Sequence, residues 1–291
     1  MEKIICPICG SDKNKFFCEK NNYKIYFCFR CRAGFVWPVP ETSKDLYSES
    51  YFINDDKVSE FGYTDYEKDK EPMKGIFVSY LKKIEQITKG RKLIDIGAAT
   101  GYFLDLAKER NWETFGIELS EYAASRAGEK GHKMIDGRLI GENINEKFSA
   151  VTMWDVLENF NDPKNEIRKA GRLLEAGGVL LLNTIDFGSL SSRLMGRRWH
   201  LIVPPEHLFY FSRKSLFLLL ESSGFKIIAV EKMGKKFSFA YIFKVLYNWQ
   251  KLIIWKKLSN YFNNNNFSRK FYIPINLRDN ILIIAKKNKD A

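Results

Sequence analysis

The chain has 291 residues, 45% of them hydrophobic, and a formal net charge of +12. That length suggests one large domain plus something small, with ample apolar content for a core. No run approaches 18 uninterrupted apolar residues, so nothing reads as a membrane span, and the N-terminal apolar patch breaks too early for a signal peptide. The charge is uneven. Residues 235–291 hold 12 Lys and Arg against Asp279 and Asp290, which leaves residues 1–234 at +2. Nucleic-acid enzymes more often carry basic patches on the catalytic domain, so this distribution speaks against a nucleic-acid partner.

Cys6-Pro-Ile-Cys9 and Cys28-Phe-Arg-Cys31 are separated by 18 residues, a spacing that reads as a zinc site. Zinc takes four soft ligands in a tetrahedron, and two C-x-x-C knuckles close the sphere with no open position. A Zn2+ held by Cys6, Cys9, Cys28 and Cys31 is therefore expected to be structural, within a zinc-binding module at residues 1–40. A thiolate site without an export signal points to the cytoplasm, and Cys18 reads as a free buried thiol. Trp37-Pro-Val-Pro40 forms an extended connector. Residues 41–90 are polar and aromatic, a helical linker or cap with a helix near 73–88.

From residue 91 to 291 the pattern alternates strand, loop and helix, which argues a parallel α/β sheet. Strands are expected at 92–96, 113–118, 132–135, 150–154, 179–183, 226–231 and 280–285. Ser120 should cap one helix. A second should open at Asn161-Asp-Pro-Lys and run to about Glu175, ending at Gly177-Gly178. Ser212 should cap a third, ending at Gly224. The fold class is α/β, a doubly wound seven-stranded Rossmann-like sheet with the small module in front.

Leu93-Ile-Asp-Ile-Gly-Ala-Ala-Thr-Gly-Tyr-Phe103 is a buried strand entering a glycine turn and a helix, where backbone can approach a ligand. Glu118 follows Asp95 by 23 residues at the end of the next strand, where a carboxylate can accept ribose hydroxyls. A dinucleotide fingerprint would need glycine at 99 and 102, and Ala99 and Tyr102 stand there. The Asp95, Gly97, Gly101 arrangement instead resembles the first motif of class I S-adenosylmethionine-dependent methyltransferases. Phe115-Gly-Ile-Glu118-Leu-Ser, Phe148 to Glu158, and Leu173-Leu-Glu-Ala-Gly-Gly-Val-Leu-Leu extend the resemblance over about 91–234, and 280–286 resembles the family's closing antiparallel strand. The resemblance implies methyl transfer. Asp95, Gly97, Ala98, Ala99 and Gly101 would shape the pocket around the cofactor's amino-acid part. Glu118 would hold its ribose, Leu119 would pack on its adenine, and Trp154 and Asp155 would line the far side.

Pro-Pro-Glu-His-Leu-x-Tyr-Phe-Ser, ending at Ser212, resembles a segment of zinc-containing bacterial methyltransferases, including sugar C-methyltransferases that use a Glu-His pair. That implies His207 as base and Glu206 as its orienting partner, with Tyr210 near the substrate. His132 and His200 are the other histidines, and His132 reads as structural. Glu158-Asn159 stands where the family often has Glu-His. Pro204 replaces a tyrosine of the C-methyltransferases, which favours O-methylation. The expected acceptor is a small molecule or a lipid-linked sugar, in cell-envelope polysaccharide or glycolipid synthesis. The alternatives are a ribosomal or transfer RNA methyltransferase, and a non-catalytic methyltransferase-like binding protein at a membrane or complex.

Residues 235–270 hold eight basic residues, no acids and ten aromatics. A single helix is expected over 237–258, with Lys244, Asn248 and Lys251 on one stripe. Asn263 to Asn266 form a polar loop, and 271–277 should return the chain to the sheet. Three readings stay open: a lid or dimer face, a helix lying peripherally in the inner membrane surface, and a grip on single-stranded nucleic acid.

Overall fold

The computed structural model describes residues 3–41, 44–53, 62–63, 65–137, 144–264, 272–275 and 277–288. Three strands form first: β1 (Asn14–Lys20), β2 (Tyr23–Cys28) and β3 (Gly34–Val36). The main sheet uses β4 (Lys92–Ile96), β5 (Glu113–Glu118), β6 (Lys133–Asp136), β7 (Phe148–Trp154) and β8 (Leu174–Ile185). The chain continues through β9 (Phe209–Tyr210), β10 (Phe225–Lys232), β11 (Lys235–Ser238), β12 (Tyr272–Ile275) and β13 (Asn280–Lys287).

The main sheet has seven strands in the order β10-β13-β8-β7-β4-β5-β6. β4 to β8 are parallel to one another, and β13 runs antiparallel between β8 and β10. The parallel strands are covered on both faces, which is why they read as continuous apolar runs; every residue of β7 is buried. Order reverses at β4, so the carboxyl ends of β4 and β7 flank a crevice of the kind where open α/β sheets bind ligands.

Local signals set the helix ends. Ser120 accepts from the Ala123 amide, Asp162 from Asn165, and Ser212 shares a reciprocal capping box with Ser215, satisfying amides that the first turn leaves open. Two boundaries differ from expectation. The helix beginning at Pro163 stops at Leu173, and Gly177-Gly178 lie inside β8, because Leu174 already pairs with Phe148 of β7.

The cysteine module is not a separate bead. Its sheet has the order β1-β2-β3-β9, so its edge is completed by Phe209 and Tyr210 from the large domain. Asn21 donates to the Pro204 carbonyl at 2.8 Å and Ser212 Oγ to the Cys31 carbonyl at 3.1 Å. One hydrophobic core runs from Ile8, Ile25 and Phe35 through Trp199 and Phe211 to Ile283.

The basic insertion is a hairpin rather than one helix. Phe239–Gln250 and Ile253–Asn264 pack antiparallel, and the break falls at Lys251, which adopts φ 57°. β12 does not return to the main sheet; it pairs with β11 in a two-stranded ribbon beneath the hairpin. Of the expected stripe, the Asn248 side chain lies outside the described residues, as do Asn265 and Asn266 of the expected loop.

Candidate active site

β4 runs into a turn in which Gly97 takes φ 78° and Ala99 φ 50°. The Gly97 and Ala98 amides both donate to the Ile117 carbonyl, at 2.8 and 3.1 Å. A β-carbon on Gly97 would come within 2.7 Å of Val156, so the turn needs glycine for closeness as well as for its dihedral. This strips side chains from the carboxyl end of β4. Glu118 ends β5 beside it, only 7% exposed. Its carboxylate accepts the Ala99 and Ser120 amides, both at 2.9 Å, which fixes its orientation at the wall of a cleft.

That cleft encloses about 940 Å³, open mouth included. Gly97, Ala99, Glu118, Leu119, Trp154 and Asp155 all line it. Asp155 takes φ 51°, accepts from the Asn183 amide group, and faces the Lys70 ammonium at 3.8 Å. Trp154 packs against Phe77 and Phe103 at ring distances of 4.7 and 5.1 Å. Its indole N–H is buried without a hydrogen-bond partner among the described residues.

Asp95, Ala98 and Gly101 sit differently from expectation. None of them lines the cleft. Asp95 is 2% exposed and accepts from the Thr152 hydroxyl at 2.6 Å, tying β4 to β7 under the floor; burial pushes its carboxyl well above the ordinary range. Gly101 caps the helix from Tyr102, where a β-carbon would meet His132 and Ala127. His132 is structural: its two ring nitrogens engage Thr114 at 2.8 Å and Asp105 at 2.9 Å.

The roof of the cleft was not foreseen. Tyr47, Tyr51, Phe52, Tyr63, Tyr66 and Lys70 line it, so part of the expected linker is a wall of the site. The rings meet edge to face, Tyr47–Tyr51 at 5.2 Å, Tyr63–Tyr66 at 4.8 Å and Phe52–Tyr66 at 5.8 Å, a geometry that aromatic quadrupoles favour. The Lys70 ammonium lies 5.3 Å from both the Tyr63 and Tyr66 rings, near enough for cation–π attraction. Burial raises the Tyr51 and Tyr66 phenols well above their ordinary value. The available signal was the density of tyrosine between 47 and 66; helices as short as Glu49–Phe52 and Tyr66–Lys70 carry no readable period.

Glu206 and His207 are adjacent in sequence and make separate contacts. Glu206 Oε1 accepts the Tyr51 hydroxyl at 2.6 Å. His207 Nδ1 instead donates to the Leu201 carbonyl at 2.8 Å, so Glu206 does not orient it. Glu158 is 1% exposed and accepts from Thr184 at 2.6 Å. Burial raises that carboxyl. Neither Glu206 nor His207 lines the cleft itself; Tyr51 carries the hydrogen-bond path from its wall to Glu206. Tyr210 is fully buried and donates to the His207 carbonyl at 3.0 Å, which makes it a core residue. His200 lies 3.7 Å from Asp279.

The sulfurs of Cys6, Cys9, Cys28 and Cys31 all lie within 4.8 Å of one another, with Cys6–Cys31 and Cys9–Cys28 at 3.6 Å. A disulfide would need about 2.05 Å. Metal–sulfur bonds of about 2.3 Å in a tetrahedron give sulfur–sulfur edges of about 3.8 Å, so the four thiols fit a single tetrahedral cation. The neighbouring Cys31 thiol lowers Cys6 to about 6 against the opposing effect of burial. Cys18 is a free buried thiol, raised by burial.

The sheet order, the glycine turn and the carboxylate at the end of β5 define a class of protein, and comparison with known proteins agrees. A family described as a methyltransferase domain matches residues 67–230, and the chain belongs to it. An uncharacterized protein of Methanocaldococcus jannaschii is 30% identical over 157 residues, covering 53% of this chain and 73% of that one. The ubiquinone biosynthesis O-methyltransferase of Pseudomonas fluorescens is 28% identical over 105 residues, 33% of this chain. The chain spans 45% of that enzyme's length. A candidate methyltransferase from Bacillus halodurans shares the fold, with a TM-score of 0.50, 19% identity, and coverage of 72% of this chain and 99% of that one.

Proposed function

We propose that the protein transfers a methyl group from S-adenosylmethionine to a hydroxyl of a small polyhydroxylated acceptor of sugar type. The observation that carries this reading is one cleft lined both by an amide-fixed acceptor carboxylate, Glu118, and by Tyr51, whose hydroxyl donates to Glu206 behind the wall. Bound S-adenosylmethionine supplies a methyl group already activated by its sulfonium. Glu118 accepts the ribose hydroxyls, the bare turn at Gly97 and Ala99 admits the amino-acid part, and Leu119 packs on the adenine. Tyr51 takes the acceptor's hydroxyl proton as it passes its own to Glu206, so the proton ends on the carboxylate. His207 supports that wall from behind. The tyrosine roof offers ring faces to the C–H face of a sugar and excludes water. Four thiolates hold a structural Zn2+ that braces the same wall through β9. The name of the Pseudomonas relative favours oxygen as the methylated atom.

The test is calorimetric binding of S-adenosylhomocysteine with Glu118→Ala beside the wild type. Micromolar binding weakened about tenfold or more is expected, since a charged hydrogen bond is worth about 1.5–3 kcal/mol. Absence of binding by folded, zinc-loaded protein overturns the reading. Mass spectrometry of sugar and phenol panels then decides the acceptor: a methyl ether on the sugars supports the assignment, and one confined to phenols replaces it.

A further inference from the structure

We infer that the helical hairpin is a bilayer-docking element, whose aliphatic tip enters an anionic phospholipid surface while its lysines engage the headgroups. The hairpin packs four of its aromatic residues on one another. Phe239 stacks on Phe262 at 5.2 Å, and Phe243 lies between Trp255 at 5.7 Å and Phe262 at 5.4 Å. Ser259 donates to the Ala240 carbonyl at 2.9 Å across the two helices, and the Trp255 indole donates to Gln250 at 2.7 Å across the turn. Val245 and Tyr261 stay exposed along the helices, and what the packing leaves outside at the tip is consecutive and aliphatic. Leu252, Ile253 and Ile254 at the tip are 51%, 61% and 51% exposed. Three adjacent aliphatic side chains at the end of a projecting element form a patch, unlike scattered surface leucines.

Charge chooses the occupant. Lys251, Lys256 and Lys257 flank the tip, and residues 235–270 contain no acid at all. Two such hairpins meeting tip to tip would bring like charges together, whereas an anionic leaflet attracts each cation. No described helix is long and apolar enough to cross a membrane, and a short element with an apolar end and basic flanks suits the interface. The placement also has a consequence. The ribbon below the hairpin contributes Lys236, Phe237 and Ser238 to a smaller cavity that shares Trp154 and Asp155 with the main cleft. The docking element is therefore joined through its ribbon to the wall of the site.

The experiment is co-sedimentation of the full, zinc-loaded chain with vesicles of phosphatidylcholine alone or mixed with phosphatidylglycerol. Binding to the anionic vesicles is expected, falling with added salt. The triple change Leu252→Ser, Ile253→Ser, Ile254→Ser should weaken it about a hundredfold, and Lys257→Gln about fivefold. These positions lie outside the aromatic stack, so an unchanged melting temperature establishes that the variants are folded. Absence of binding to anionic vesicles overturns the inference. So does binding indifferent to the triple change, or a dimer that the triple change abolishes while vesicles stay unbound. Affinity for S-adenosylhomocysteine, measured on the same samples without lipid, reports the methyl-transfer reading separately.

Discussion

The cysteine module and the hairpin are both additions to one seven-stranded sheet, and they treat their apolar surface in opposite ways. The module lets β9 complete its sheet and buries Ile8, Ile25 and Phe35 in the core it shares with Trp199 and Phe211. The hairpin stands on a ribbon of its own, closes its aromatic stack internally, and leaves Ile253 61% exposed. An addition that shares a core is part of the folding unit, and its loss should reach the site. An addition with an aromatic stack of its own and a bare tip, tied to the roof by the Lys244 ammonium on the Gly62 carbonyl at 3.4 Å, can be removed with little effect on the rest.

The largest effect that would sharpen this contrast is expected at the four thiols and the zinc proposed for them. Cys28→Ser, or removal of zinc by a chelator, should lower the melting temperature by about 10 °C or more, because binding free energy of a structural zinc is folding free energy. A calorimetric scan that leaves the main transition in place would break the comparison, since the module would then be a bead after all. Next comes the contact between the module-braced wall and the tyrosine roof. Glu206→Gln keeps an acceptor for the Tyr51 hydroxyl but removes the proton's destination, so kcat should fall about a hundredfold with S-adenosylhomocysteine affinity unchanged. His207→Ala should cost less; steady-state kinetics on both variants rank them.

A smaller effect tests the sheet that both additions share. Burial raises the Asp95 carboxyl, so the folded state keeps its proton to a higher pH than the unfolded chain. The stability from this group is complete below the ordinary carboxyl range and is lost as pH rises through the raised value. Asp95→Asn stays neutral and can still accept from Thr152. It should flatten the pH dependence of melting, with a gain of about 2–5 °C toward neutral pH. A wild-type profile that instead rises through that window would contradict the assignment. The smallest effect is expected at the hairpin: replacing 239–271 by a short glycine-serine turn should leave the melting temperature within about 2 °C, as differential scanning fluorimetry would show.

Much of the sheet was legible because buried parallel strands are short apolar runs punctuated by glycine. β4 and β5 matched their expected limits, and β7, β10 and β13 extend them by one or two residues. The cysteine spacing and the Glu118 position were legible for a similar reason, since each is a fixed interval along one strand or knuckle. The hairpin break was not, because Lys251 reaches φ 57° without the glycine or proline that usually announces a turn. Nor was the roof, whose described residues between 44 and 70 hold only fragments of helix and take their positions from Glu206 and from the ends of β4, β5 and β7.

The sequence by itself determined the seven strands, the four thiols and the carboxylate after β5, because each depends on residues close together in the chain. Tertiary structure decided what crosses long separations. It sent Glu206 to Tyr51 rather than to its neighbour His207, across 155 residues, and it gave the module's sheet its last strand from β9. The physical reason is that a side chain's neighbour in space is chosen by packing and by satisfying buried polar groups. Neither leaves a periodic mark in the chain.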